Sequence, residues 1–269
     1  MISGLPLDYS YARVAGRLAQ RPDERLWLQL RSARSVPSVL EAVRASAAAS
    51  TVSGIAVTGD ADAIELAFRQ QFRTRVEEVA AWSPDPWRPA ILYTRHLIDL
   101  PALLHLLRDE APPRWITVDP VLAGYAHASR ATRRNALATG PLRAIVLALD
   151  DAAEESTART SAPRAPALHR ALSNWEAQWR ALWTSADDDA IAQLDDLTHL
   201  LRRHLIHFGL LAVDDTFAAR QGLATRLLAL LHRATAQPAA LFAYLALFAI
   251  DLERLRSEFL VRARLGTAA

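Results

Sequence analysis

The sequence predicts an all-α fold, and three features of its composition indicate this. Alanine and leucine dominate the 269 residues, only 9 glycines occur, and β-branched residues are sparse and scattered. Alanine and leucine favour helices, whereas strands favour β-branched and aromatic residues. Because 51% of the residues are hydrophobic, the chain has ample material for a core.

The first part of the chain predicts small helices joined by tight turns. One helix is expected in "DYSYARVAGRLAQ". A second should start after Pro22, since Asp23 and Glu24 then lie in its first turn, where the helix dipole favours negative charge. Ser38 and Glu41 have the spacing of a capping box and predict the start of a third.

A longer helix is predicted from Ala61 to Trp82, where apolar residues recur at helical spacing until the prolines of "SPDPWRP" end it. The next predicted helix carries an apolar stripe. Its members are Leu97, Leu100, Leu103, Leu104 and Leu107. The only place where a brief strand is expected is Trp115 to Val118.

The second half predicts a loop and then four more helices. Residues Asp151 to Ala167 are rich in serine, threonine, proline and charge, which is typical of a mobile surface loop or linker. The expected organisation is therefore an N-terminal helical region at 1–150, this linker at 151–167 and a C-terminal helical region at 168–269. The two regions can also pack as one continuous domain.

Charge and targeting signals favour a cytoplasmic protein that does not bind nucleic acid. The formal net charge is only +2, and no cysteine occurs, which agrees with a reducing compartment. No export signal is visible, and the most apolar tract, Ala239 to Ile250, is shorter than the ~18 to 20 residues of a bilayer span. The nearest basic cluster, Arg130, Arg133 and Arg134, is interpreted as a solvated helix end.

Two groups of residues suggest a metal site, but a simpler interpretation is favoured for each. His199, His204 and His207 lie on one predicted helix, yet their directions differ and no carboxylate completes a site, so they are interpreted as flanking a core stripe. The aspartates at 187–189 and 195–196 lack the spacing of a calcium loop and fit helix N-termini instead.

Three tryptophans form a stripe at i, i+4 and i+8. Trp175, Trp179 and Trp183 predict either core packing, which is favoured, or a ridge that binds a partner protein. No phosphate-binding loop and no nucleophile motif occurs in the sequence. We therefore expect no catalytic residues, no metal and no cofactor, and a binding or structural role.

One pattern occurs twice, about 150 residues apart. Asp99-Leu100-x-x-Leu103 recurs as Asp251-Leu252-x-x-Leu255, with Arg256 following the second copy. If the helices are exposed, each aspartate can pair locally, Asp99 with Arg95 and Asp251 with Arg254, for only ~0.3 kcal/mol. If the aspartates are buried, removing one should cost several kcal/mol.

Three segments resemble a known family, the C/d family of central-stalk proteins in rotary V-type and A-type ATPases. They are "YSYARVAGR" (9–17), "RHLIDLPALLHLLR" (95–108) and "IDLERLRSEFLVRARLG" (250–266). An asparagine of the family's pattern is Ala102 in one copy and Arg254 in the other. The resemblance implies repeated small helical bundles that form a funnel, and it explains the duplicated pattern.

The resemblance also implies a non-catalytic role. A member of this family sits in the central stalk, couples the shaft subunits to the membrane rotor ring during ion transport, and is cytoplasmic and peripheral to the membrane through its partners. Two alternatives remain open. The chain can be a helical adaptor or regulator that binds another protein through the tryptophan ridge, or a metal-dependent hydrolase that uses the histidines.

Overall fold

The structure, a computed structural model, describes residues 6–57, 59–107, 111–139, 143, 164–208 and 216–266. Within these residues the chain is helical and has no strand, as predicted. Short 3-10 turns occur at Ala49–Val52, Asp85–Trp87, Thr94–Asp99 and Ala123–Tyr125. The α-helices are α1 Leu7–Leu18, α2 Glu24–Ser32, α3 Val36–Arg44, α4 Ala61–Trp82, α5 Arg88–Tyr93, α6 Leu100–Leu106, α7 Arg114–Val118, α8 Arg130–Thr139, α9 Arg164–Arg180, α10 Asp188–Phe208, α11 Thr216–Arg233 and α12 Pro238–Gly266.

Helix α4 has the bounds that the sequence predicts. Asp60 precedes it, and its carboxylate accepts a hydrogen bond from the Ala63 amide at 2.8 Å, which satisfies one of the free N–H groups of the first turn. The helix ends two residues before Pro84, as the proline signal indicates. Its inward face carries the buried side chains of Ile64, Phe68, Phe72, Val76 and Val79.

The start of α3 differs from the prediction. The helix begins at Val36, and the Ser35 side chain accepts a hydrogen bond from the Ser38 amide, so Ser35 is the N-cap. Pro37 lies in the first turn, where its missing N–H has no cost. Ser38 is therefore already inside the helix, and the capping box predicted from Ser38 and Glu41 is wrong.

Helix α12 is the central element of the fold. It packs against α1, α3, α4, α10 and α11, so it joins the predicted C-terminal region to the predicted N-terminal region. Its first two turns are apolar on all sides, and Ala239 to Leu245 are all buried. In the part of the chain that the structure describes, no helix combines the length and apolar character needed to cross a bilayer.

The expected strand at 115–118 is a helix, and most of the predicted linker at 151–167 lies outside the described residues. Trp115 to Val118, where the sequence predicts a brief strand, lies in α7, which Pro113 directly precedes. Residues 151–163 of the predicted linker lie outside the described residues, whereas 164–167 belong to α9.

Arg133 is buried, so the interpretation of its cluster as a solvated helix end is wrong for this residue. Its side chain is 1% exposed. The guanidinium donates to the carbonyls of Leu106, His127 and Ala128 at 2.8 Å each. Leu106 is the last residue of α6, where carbonyls lack partners within the helix, so Arg133 caps that end.

A buried ion pair fixes α12 to the turn that follows α1. Arg21 donates to both carboxylate oxygens of Asp251, from Nε at 2.6 Å and from Nη2 at 3.0 Å. Asp251 is 5% exposed. Burial raises the pKa of the Asp251 carboxyl, and the hydrogen bond and charge of Arg21 act in the opposite direction. Removal of either partner therefore leaves a charge that water reaches poorly.

We expect Asp251→Ala to lower the free energy of unfolding by about 3 kcal/mol, because Arg21 then loses a bidentate partner in a largely buried position. Urea unfolding followed by circular dichroism measures this. The control is Asp85→Ala, which breaks the exposed Asp85–Arg88 pair and should cost less than about 1 kcal/mol. Equal losses in the two variants would contradict the structural role of the buried pair.

Candidate functional site

The two Asp-Leu patterns are both buried, but they differ in secondary structure. Asp99 and Asp251 are both buried, and so are Leu100, Leu103, Leu252 and Leu255. The first copy spans the junction between a 3-10 turn and α6, whereas the second lies in the middle of α12. The pattern therefore specifies a buried aspartate next to buried leucines, and it does not specify one continuous helix.

The local ion pairs considered for exposed aspartates do not form, because both aspartates are buried. Asp99 is bound by Arg69 and Arg73 of α4 instead of Arg95, and Asp251 is bound by Arg21 instead of Arg254. Both aspartates point into the core, where a partner on the same helix surface does not reach. The structure therefore has buried aspartates, the alternative in which removal of one should cost several kcal/mol.

Arg254 has aromatic neighbours. Its guanidinium lies 3.6 Å from the ring centre of Trp27 and 4.5 Å from that of Phe217. This contact joins α2 and α11 to α12. A guanidinium between two aromatic rings gains cation–π energy.

Arg73 is the centre of the buried ionic cluster. Its Nη2 donates to Asp99 Oδ1 at 2.7 Å and its Nη1 to Asp119 Oδ2 at 2.9 Å. Both carboxylates are fully buried. Asp119 also accepts hydrogen bonds from the amides of Val121 and Leu122. Arg73 thus ties α4 to the start of α6 and to the turn after α7.

Arg69 extends the cluster along α4. It donates to Asp99 Oδ1 at 3.2 Å, to the Ile98 carbonyl at 2.9 Å and to Glu65 Oε1 at 2.9 Å. The ring of Trp115 lies 4.0 Å from its guanidinium carbon. Arg69 therefore links α4 to the segment that contains Ile98 and Asp99.

Arg256, the last residue of the second Asp-Leu pattern, connects the cluster to α12. It donates to Glu65 at 2.7 Å and to Glu253 at 2.6 Å. Burial disfavours its charge, but the two glutamates outweigh this effect and raise the pKa of Arg256 above its ordinary value. A chain of ion pairs therefore runs from Asp119 to Glu253 across four parts of the fold: the turn after α7, α4, the start of α6 and α12.

His96 and Asp99 face each other within this cluster. His96 Nδ1 is 4.0 Å from Asp99 Oδ2, and both atoms are buried without a hydrogen-bond partner. Burial, with the charges of Arg95 and Arg73, lowers the pKa of His96 to about 4. Burial raises the pKa of the Asp99 carboxyl, and Arg73 and Arg69 counteract this. His96 is therefore neutral near pH 7.

The tryptophan stripe lies largely in the core. Trp175 and Trp179 are 7% and 3% exposed, and Trp183 is half-buried. Trp175 stacks on Tyr93 at a ring distance of 5.7 Å, and the Trp179 indole donates to the Ala90 carbonyl at 3.1 Å. The predicted core packing is therefore confirmed for Trp175 and Trp179. Neither side chain offers a broad exposed face to a partner protein.

A large apolar cavity lies beside the ionic cluster. Its volume is about 980 Å³, and its wall consists of side chains from α4, α7, α9, α10, α11 and α12 together with the segment from Thr94 to His105. Trp175 and Trp179 form part of the wall, and so does the α12 face that carries Ala246 and Ala249. Glu65, Arg69 and Arg256 border it, so the ionic cluster forms one side of the cavity.

The structure describes most of the residues suggested for a metal site. Within the described part of the chain, no group of three or more histidines, cysteines or carboxylates is placed to hold a metal ion. His199 is exposed and His204 is half-buried, whereas the side chain of His207 lies outside the described residues. The aspartate at 187 accepts from the Ala190 amide at 2.8 Å, so the capping interpretation is confirmed there. Asp195 and Asp196 lie inside α10, beyond its first turn, so the interpretation that they fit a helix N-terminus is wrong.

Sequence reasoning missed four members of the ionic cluster. Glu65, Arg69, Arg73 and Asp119 were not singled out. A signal exists in "AFRQQFRTRV": Arg69 and Arg73 each follow a phenylalanine of the core face, at a spacing of four. Arginines adjacent to core positions on one helix indicate that carboxylates from other elements must neutralise them.

The comparisons with known proteins find no relative. No family model, no curated protein and no solved structure matches the chain.

The neutral, buried His96 predicts a stability that falls in mild acid. The unfolded chain binds a proton at this histidine below about pH 6.5, whereas the folded chain does not until about pH 4. Between these values the unfolded state holds more protons, so the stability decreases as the pH falls, by at most about 3 kcal/mol.

Urea unfolding at several pH values between about 7 and 4.5 measures this effect, with acidic groups contributing in every variant. His96→Asn should show a shallower loss of stability than the unaltered protein. His232→Asn, which removes an exposed histidine of α11, is the control and should keep the original slope. If His96→Asn also keeps it, His96 is not the group responsible.

Proposed function

We propose that this protein is a non-catalytic central-stalk subunit of a rotary V-type or A-type ATPase. In this role it would couple the shaft subunits to the membrane rotor ring during ion transport, and it would be held at the cytoplasmic face of the membrane by those partners. The proposal rests on the resemblance of three segments to the C/d family of stalk proteins. What the fold adds is the relation between those segments.

The single observation that carries the proposal is that the three segments belong to one connected framework. Segment 9–17 forms most of α1, and Arg21, just beyond it, binds Asp251 of segment 250–266. Asp99 of segment 95–108 binds Arg69 of α4. Arg69 in turn binds Glu65, which receives Arg256 from segment 250–266. Segments 95–108 and 250–266 are thus cross-linked through α4, and the turn after segment 9–17 is bound directly to 250–266.

Such a framework suits a part that transmits force. Buried ion pairs with short, directional contacts resist sliding, because any displacement leaves a charge without its partner in a site with little water. A stalk subunit needs this resistance, since torque that deforms the body is not passed on.

The adaptor alternative receives less support from the geometry. Its binding surface was the ridge of Trp175, Trp179 and Trp183, and the first two of these side chains are buried against Tyr93 and Phe242. An adaptor would have to use another surface. The stalk role therefore remains the better-supported proposal.

An affinity pull-down from gently solubilised membranes of the source organism tests the proposal. We expect the tagged protein to retain the ATPase catalytic, shaft and ring subunits in fixed proportions, as measured by quantitative mass spectrometry. The same tag on an unrelated helical protein is the control. Recovery of only unrelated proteins, with the ATPase subunits present in the extract but unbound, would contradict the stalk role.

A further inference from the structure

The cavity between α4, α9, α10 and α12 has the dimensions of a small-molecule site. Its volume of about 980 Å³ lies at the upper end of the range typical of ligand pockets, about 300 to 1,000 Å³. A protein partner usually covers a broader and flatter area of about 800 Å² on each side. A recess of this volume therefore favours a compact ligand over a docked protein surface.

The wall of the cavity is apolar and aromatic. Phe68, Phe72, Trp115, Trp175 and Phe242 contribute to it, and aliphatic side chains fill much of the remainder. Aromatic side chains offer large, rigid contact areas to an apolar ligand. Each methylene group that moves from water to such a surface strengthens binding by about fourfold.

Helix α12 presents small side chains to this space. Ala246, Ala249 and Ile250 are only half-buried, although the preceding residues of the same helix, Ala239 to Leu245, are all buried. All three line the cavity. The middle of the most apolar helix thus faces open space with small and branched apolar groups, which leaves room for a ligand against the backbone.

Most of the charged residues that border the cavity are bound to one another. Glu65 receives Arg69 at 2.9 Å and Arg256 at 2.7 Å, and Arg256 also binds Glu253 at 2.6 Å. On the opposite side Arg202 binds Glu176 at 2.9 Å. A charged ligand group would have to break one of these pairs, at a cost that an uncharged ligand avoids.

From this geometry we propose that the cavity binds an uncharged, predominantly apolar small molecule. The class includes long-chain alcohols and similar neutral lipids. The ligand would lie along α12 beside Ala246 and Ala249 and would contact the indole rings of Trp115 and Trp175. The proposal does not depend on the stalk role, since it concerns the isolated chain.

Three ten-carbon probes with different head groups test the charge preference: 1-decanol, decanoate and decylammonium. Binding to the purified protein is measured by calorimetry and by tryptophan fluorescence, below the concentration at which the probes aggregate. We expect saturable binding of 1-decanol, with a Kd lower by about tenfold or more than that of either ion. No saturable binding of 1-decanol, or equal or tighter binding of an ion, would overturn the proposal.

A variant that fills the cavity tests the location. Ala249→Leu adds three carbon atoms to the wall and should weaken 1-decanol binding by about tenfold or more, since the ligand and the new side chain compete for the same space. Ala218→Leu, at an exposed position of α11, is the matched control and should bind as the unaltered protein does. Thermal unfolding confirms that both variants fold. Unchanged binding by a folded Ala249→Leu would place the ligand elsewhere and overturn the proposal.

Discussion

The pairing of Asp99 with Arg69 and Arg73 is the contact on which the surrounding structure depends. Moving a charge out of water costs several kcal/mol, and only well-formed contacts with opposite charges offset this cost. Because Asp99 is fully buried, the segment from Thr94 to Asp99 has to stay against α4. Arg73 then positions Asp119, whose second oxygen orders the turn after α7. One carboxylate thereby determines where three neighbouring elements lie.

Helix α12 is held by the same kind of contact at two points, Asp251 with Arg21 and Arg256 with Glu65. The first contact binds α12 to the turn after α1, and the second binds it to α4. Apolar packing alone is not directional and tolerates rotation of a helix about its axis. The ion pairs remove that freedom, so the face with Ala246 and Ala249 is directed toward the cavity.

The ionic cluster also shapes the chemistry of the cavity. Glu65, Arg69 and Arg256 form part of its border, yet their charges are satisfied within the fold. The protein thus combines a rigid charged framework with an apolar recess beside it. A stiff body serves the proposed stalk role, and the satisfied border favours a neutral occupant. Both properties follow from one set of contacts.

The sequence by itself determined the helices and much of the core. Helical periodicity and proline positions predicted α4 from Ala61 to Trp82, and the spacing of Trp175 and Trp179 predicted their burial, because these signals act between neighbours in the chain. The partners of Asp99 and Asp251, and the cavity with its border, were decided only by the tertiary structure. Arg69 and Arg21 lie 30 and 230 residues from their aspartates, and a carboxylate within an apolar run selects the cation that folding brings nearest, not the one nearest in sequence.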